Sequence, residues 1–243
     1  MIYFKSFDKN LIVKKGSTIG NIDLNNKGIK IYKNPIFVIN PSKNDNIHLV
    51  IPKMRTTNSN GDSVFCKLIE VGDKITIEDM ITLDIDIDYK INLVKRIFDK
   101  DIQKRYDLFN HIYDTDNTGE MLFKFSKNFP NAINKELMYN LIQERDLNGT
   151  YLAKFTVLNN GYKYDNSCSV ATKYDNYQAL VNLAINGFHR GLVSLQSELV
   201  KNCNDIVALK TFLEYVKKIK GSETYLLENK IYYLSNLYEE SLV

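Results

Sequence analysis

From Lys74 to Tyr89 apolar and polar residues alternate, with Ile75, Ile77, Ile81, Leu83, Ile85, Ile87 and Tyr89 at odd positions and Thr76, Glu78, Thr82, Asp84, Asp86 and Asp88 at even ones. A period of two predicts a half-buried strand, interrupted by a hairpin or bulge at Asp79 and Met80. Upstream, short apolar runs such as GIKIYK, PIFVI, IHLVIP and SVFCKLIEV are separated by Gly, Asn, Pro, Asp and Ser. Such punctuation predicts several short strands, hence a β-rich module, sandwich- or barrel-like, over residues 1–89. Asn60-Gly61 is its sharpest hairpin signal, and the polar loop from Thr56 to Ser63 is a place for intermolecular contacts.

After Lys90 the apolar spacing lengthens. Val94, Ile97, Phe98, Ile102, Phe109 and Tyr113 predict one amphipathic helix over 90–113. Strands are predicted at Glu120 to Ser126, Thr150 to Leu158 and Tyr164 to Thr172, with a helix from Asn134 to Arg145 between the first two. From residue 173 apolar positions step by three or four through Tyr177 to Leu199, Ile206 to Val216 and Leu227 to Tyr238, predicting three helices. Asn204-Asp205 supplies an N-cap for the second helix, and Gly187 and Gly191 weaken the first, their spacing permitting either a break or close approach by a neighbouring helix. The expected class is therefore α+β: a β-rich module over 1–89, a mixed helix and strand segment over 90–172, and a helical unit over 173–243. No internal repeat is read.

Composition changes this picture little. The 243 residues, 44% hydrophobic, suffice for a sizeable core, and a net charge of +3 carries no strong pull toward polyanions. No run approaches the roughly 18 apolar residues of a membrane span, and the amino terminus lacks the order of a signal peptide. A virion or cytoplasmic location is expected, with no membrane partner. Cys66, Cys168 and Cys203 have neither disulfide-framework nor zinc spacing, which fits a reducing compartment. The 28 Asn, 27 Lys and 26 Ile against 6 Ala point to an A/T-rich coding sequence of the kind AT-rich bacteria and their phages carry.

Candidate chemistry is sparse. Asp84, Asp86 and Asp88 would share one strand face, but same-face residues about 7 Å apart do not close on one ion. Asp88-Tyr89-Lys90 resembles the acidic-x-Lys half of a restriction-type nuclease motif. The run from Asp114 resembles the start of an EF-hand calcium loop, which would make Asp114, Asp116, Thr118 and Glu120 ligands. Its twelfth position is Phe125, where the loop needs a bidentate carboxylate. His48, His111 and His189 stand in unrelated contexts, and no phosphate-loop or nucleophile motif occurs. Tyr32 or Phe37 beside Lys30 and Lys33 offers a stacking surface for single-stranded nucleic acid.

With no catalytic set and no cofactor motif, the expected function is a non-enzymatic structural or assembly protein, such as a neck or tail ring or connector subunit of a phage virion. It would form a homo-oligomer and meet other structural proteins. Tyr225, Tyr232, Tyr233 and Tyr238, spread around the last helix, would join Asn60 and Gly61 as contact residues. Nucleic-acid binding through the β-module is the alternative, and a metal-dependent nuclease using Asp86 or Asp88 with Lys90 the third reading.

Overall fold

The computed structural model describes residues 2–7, 13–20, 29–33, 39, 46–60, 63–188, 192–219 and 223–240, with the side chains at 54–60 and 239–240 outside that description. The α+β expectation holds: strands fill the first part and helices everything after it. The chain divides into two compact units, residues 1–115 and 116–243.

In the first unit, β1 (Tyr3–Phe7), β3 (Ile29–Tyr32), β4 (Asn46–Asn60) and β5 (Ser63–Lys74) close on one another. All pairings are antiparallel: β1 lies between β3 and β4, and β5 pairs with β3 along one edge and β4 along the other. The short β2 (Thr18–Gly20) adds to the β3 side of β5. The result is barrel-like. Tyr3, Ile31, Val50, Val64, Cys66 and Ile69 fill the inside. β4 and β5 pair from Asn60↔Ser63 onward, across the hairpin signal, while Gly61 itself lies outside the described residues.

The alternating stretch from Lys74 is not a strand beyond its first residue. Thr76 and Asp79 close reciprocally: the Thr76 N–H donates to Asp79 Oδ2 at 2.8 Å, and the Asp79 N–H donates to Thr76 Oγ1 at 3.1 Å. This opens a single 3-10 turn, Asp79–Ile81. Those hydrogen bonds, the backbone one first, also hold the Asp79 carboxyl below the usual carboxylate range. Asp86 then caps α1 (Ile87–Ile97) by accepting from the Asp88 N–H. Short polar side chains that hydrogen-bond their own backbone compete with a strand ladder, and here they win. The predicted helix over 90–113 is two helices, α1 and α2 (Ile102–Thr115).

The second unit contains no strand among its described residues, so the strands expected at Glu120 to Ser126, Thr150 to Leu158 and Tyr164 to Thr172 are corrected to helices. They are α3 (Glu120–Asn128), α5 (Thr150–Leu158) and α6 (Tyr164–Lys173), and burial shows why. Met121, Phe123 and Phe125 alternate in sequence, but the buried positions are Leu122, Phe125, Ser126 and Phe129, a helical spacing. In α5 the buried set is Leu152, Ala153, Phe155 and Thr156, again one helix face. Between α3 and α5 stands the expected helix, α4 (Lys135–Arg145), capped by Asn134. The predicted helix over 177–199 is two, α7 (Tyr177–Ile185) and α8 (Leu192–Asn202). The break follows Gly187, whose φ of 84° closes the end of α7. α9 (Ile206–Val216) and α10 (Tyr225–Glu240) complete the chain.

Three of the four sequential pairs among these helices pack on themselves, α3 with α4, α5 with α6 and α9 with α10, whereas α8 packs on α10 instead of α7. α3, α5, α7 and α9 pack in that order as one layer, while α4 packs on α3, α6 on α5, and α10 on both α8 and α9. From Ala153 to Leu234 the apolar residues make one continuous core. Each helix of the layer thus buries its apolar face against the next, as in a solenoid. The expectation of no repeat is therefore overturned by a helix opened by an Asp or Asn side chain that recurs every 29 or 30 residues, as α3, α5, α7 and α9.

Candidate interaction surface

Each pair opens on an acidic or amide side chain: Asp116, Asp146, Asn176 and Asp205, separated by 30, 30 and 29 residues. Asp116 is buried, and its carboxylate accepts from the N–H groups of Thr118, Gly119 and Leu122 at 3.0, 3.0 and 2.9 Å and from the Thr118 hydroxyl at 3.1 Å. One repeat on, Asp146 is also buried and accepts from the N–H groups of Thr150 and Leu152 at 3.2 and 2.7 Å. Burial pushes the Asp146 carboxyl above the usual carboxylate range, against the pull of the backbone donors. Asn176 and Asp205 sit directly at the helix start as N-caps, accepting from Ala179 N–H and from Val207 and Ala208 N–H.

The first two loops are close copies. Asp116-x-x-Gly119-x-x-Leu122-x-Lys124-Phe125 recurs as Asp146-x-x-Gly149-x-x-Leu152-x-Lys154-Phe155. Both glycines take the left-handed conformation, with φ of 78° and 79°. They also lie at close approaches, since a Cβ on Gly119 would stand 3.2 Å from Asp146 Cβ and 3.3 Å from the Ile142 carbonyl oxygen. Adjacent loops therefore stack in contact.

Two concavities follow from this stacking. A cleft of about 350 Å³ lies between the first two loops, bounded by Thr118, Glu120, Asp146, Asn148, Thr150 and Tyr151. Across it the Tyr151 hydroxyl donates to Glu120 Oε2 at 2.7 Å, and Phe123 lies against the Tyr151 ring. Burial, then the Glu120 bond, pushes the Tyr151 hydroxyl up to about 12, while the same bond leads in holding Glu120 low. A second groove of about 260 Å³ crosses α5, α7 and α9 and is lined by Thr150, Lys154, Gln178, Asn182, Ile185 and Thr211 among others. Gln178, Asn182 and Ile185 follow the i, i+4, i+7 stripe of one helix face.

The structure places the sequence-predicted residues as follows. Of the calcium-loop residues, Asp116 spends its oxygens on four internal donors, and Glu120 is held by Tyr151 and Lys124. Asp114 is exposed near the end of α2, so the four do not form a ligand set. Asp84, Asp86 and Asp88 are exposed, and Lys90, next in the nuclease-like tripeptide, is buried. Lys90 Nζ lies 2.5 Å from His111 Nε2, and burial lowers its pKa to about 8, opposed by the Asp84 charge. Burial and then the Lys90 charge lower the pKa of His111. His48 is a core residue, with Nε2 3.2 Å from Asn46 Oδ1 and Nδ1 3.3 Å from the Gly72 carbonyl oxygen.

Among the described residues no three His, Cys, Asp or Glu side chains come together as a metal-binding group, and no helix is long and apolar enough to cross a membrane. The three cysteines form no disulfide. Lys30 lies over the Tyr32 and Phe65 rings at 5.0 and 5.9 Å. Phe37 and His189 lie outside the described residues, as does the Asn60 side chain. Tyr225, Tyr232, Tyr233 and Tyr238 on α10 are 58–71% exposed.

Sequence reasoning missed Asp146, Asn176, Lys154, Gln178 and Asn182. The available signal was the ten-residue pattern at 116–125 and 146–155, which aligns without a gap. Comparison of the chain with protein-family models, with curated proteins and with solved structures finds no match.

Proposed function

We propose that this chain is a non-enzymatic interaction protein and that residues 116–240 form a scaffold for recognising another protein. The observation that carries this reading is the row of four helices α3, α5, α7 and α9, each opened by Asp or Asn and packed on the next, which brings their faces into line along one surface. Helix-pair solenoids, the class that includes ankyrin and tetratricopeptide arrays, present extended concave surfaces built this way, and those surfaces bind partners. The link is one of architecture, and the site must carry the function itself. Selection of displayed random peptides on the purified full chain tests it. Sequence-specific binders are expected, lost in Gln178→Arg/Asn182→Arg with the circular-dichroism spectrum unchanged. Failure to recover any binder, or binders indifferent to both substitutions, overturns the reading.

A second reading, membership of an assembled particle such as a phage ring or connector, draws on α10. Its buried side holds Leu227, Ile231 and Leu234, while Leu226, Tyr233 and Leu237 form an exposed stripe at spacings of seven and four. Exposed tyrosines of this kind suit an interface. Deleting α10 would also remove three core side chains, so surface substitutions give the cleaner test. Native mass spectrometry is expected to show an oligomer for the unmodified chain and a monomer for Tyr233→Arg/Leu237→Arg. A strictly monomeric parent at high concentration excludes self-assembly through this face.

A further inference from the structure

We infer that the groove across α5, α7 and α9 takes an acidic segment of a partner protein, a conclusion that rests on the recognition-scaffold reading. Lys154 is the one charged side chain among the groove's lining residues, and no carboxylate lines it. The Lys154 ammonium lies 4.7 Å from the centre of the Tyr151 ring and makes no ion pair among the described residues. It stands on the exposed side of α5, opposite the buried Leu152, Ala153, Phe155 and Thr156. A cation held over an aromatic ring keeps its charge available to an incoming anion.

The remaining lining supplies what a peptide backbone needs. Gln178 is exposed and makes no hydrogen bond among the described residues, and the Asn182 amide nitrogen donates to none. One turn apart on α7, the two amides can pair with successive peptide groups of a crossing chain. Ile185 offers an apolar contact at the end of this row, and the Thr211 hydroxyl is turned back onto the Val207 carbonyl at 2.8 Å. The charge around the groove is mixed, because Glu120 feels the Lys154 charge and is ion-paired to Lys124, and Glu214 is exposed one turn from Lys210 on α9, but none of these carboxylates is among the lining residues. Lys124 occupies the position of Lys154 one repeat earlier, and Lys210 is exposed beside Thr211. Within the groove itself a carboxylate-bearing segment is met by the Lys154 charge, two amides and one apolar contact, and a basic segment by the Lys154 charge alone.

The test is a displayed random-peptide selection run on the full-length protein, on Lys154→Glu and on Lys201→Glu, a control at an exposed lysine of α8. Because Lys154 is exposed, the variant should melt as the parent does, which circular dichroism checks. Peptides recovered on the parent and on Lys201→Glu should be enriched in Asp and Glu. On Lys154→Glu that enrichment should vanish, and the parent's best peptide should bind about tenfold more weakly, which corresponds to about 1.4 kcal/mol. Binders without acidic enrichment, or acidic binders that survive Lys154→Glu, overturn the inference and leave the scaffold reading standing. Recovery of no binder at all removes the scaffold reading too. A short single-stranded DNA that displaces the peptides and is itself lost in Lys154→Glu makes nucleic acid the occupant and overturns the inference.

Discussion

Asp146→Ala should lower the stability of the helical unit by about 3 kcal/mol, seen as an earlier urea midpoint for loss of helix signal. The figure follows from the donors that lose their acceptor: two backbone N–H groups, those of Thr150 and Leu152, each costing about 1–3 kcal/mol when left unpaired in a buried place. Leu152 N–H, at 2.7 Å, is the closer and the more deeply enclosed. Asp146→Asn should cost less than half as much, because the amide keeps one acceptor oxygen and removes a charge that burial disfavours. The pH dependence has a definite sign. A carboxyl whose folded pKa is raised ionises first in the unfolded chain, so its contribution to stability falls as pH rises from the ordinary aspartate value toward the raised one. The asparagine variant should lose that decline. An alanine variant as stable as the parent would show that the loop closes without its carboxylate.

Lys90→Met should instead stabilise the first unit, by about 1–3 kcal/mol at pH 7. In the parent, the lysine's proton is held less tightly folded than unfolded, with a pKa near 8 against an ordinary 10.5. That difference amounts to about 3 kcal/mol of penalty, present in full below about pH 8 and relieved as pH rises toward about 10.5. Methionine fills similar space without the charge, and the half-buried His111 is left for water to satisfy. Urea unfolding at pH 7 and pH 10 should therefore show a stability rise in the parent and a flat line in the variant. The His111 ring, freed from an adjacent cation, should titrate at higher pH by NMR. A variant less stable than the parent at pH 7 would mean that the lysine's contact with His111 outweighs its desolvation.

The β-module was legible because its strands are bounded by turn residues and β4 and β5 meet across the Asn60-Gly61 signal. The helical cap at Asp205 was legible for a similar reason: a short polar side chain before an apolar run has few other uses. The helices α3, α5 and α6 were not. Each has only nine or ten residues, too short for a period of 3.6 to separate from a period of two, and Met121, Phe123 and Phe125 alternate by accident of which half-buried residues are apolar. What opens α3 and α5 is the carboxylate before each, whose bonds reach up to six residues forward, while α6 starts after Lys163 with no side-chain cap. The carboxylate before α3 also misdirected the site reading. Asp116-x-Thr118-Gly119 has the order of a calcium loop because both structures wrap backbone around an aspartate, in one case to hold N–H groups and in the other to leave oxygens facing a cation. The interaction groove was out of reach, since Lys154, Gln178 and Asn182 belong to three turns of two helices that only packing brings side by side.

The loop carboxylates also bear on how such a chain can change length. Asp116 and Asp146 each bond only to the loop and helix that follow them, within six residues, and borrow no hydrogen-bonding group from the pair before. Closure is therefore complete inside the first two cassettes, whereas the Asn176 amide of the third also donates back to the Asn148 carbonyl and the Thr150 hydroxyl at 3.0 and 2.8 Å. Copying the cassette of about thirty residues that Asp116 or Asp146 opens leaves each loop with its own donors and acceptor, so the array can grow by whole units, while the reach of Asn176 onto the loop before it ties the third cassette to the second.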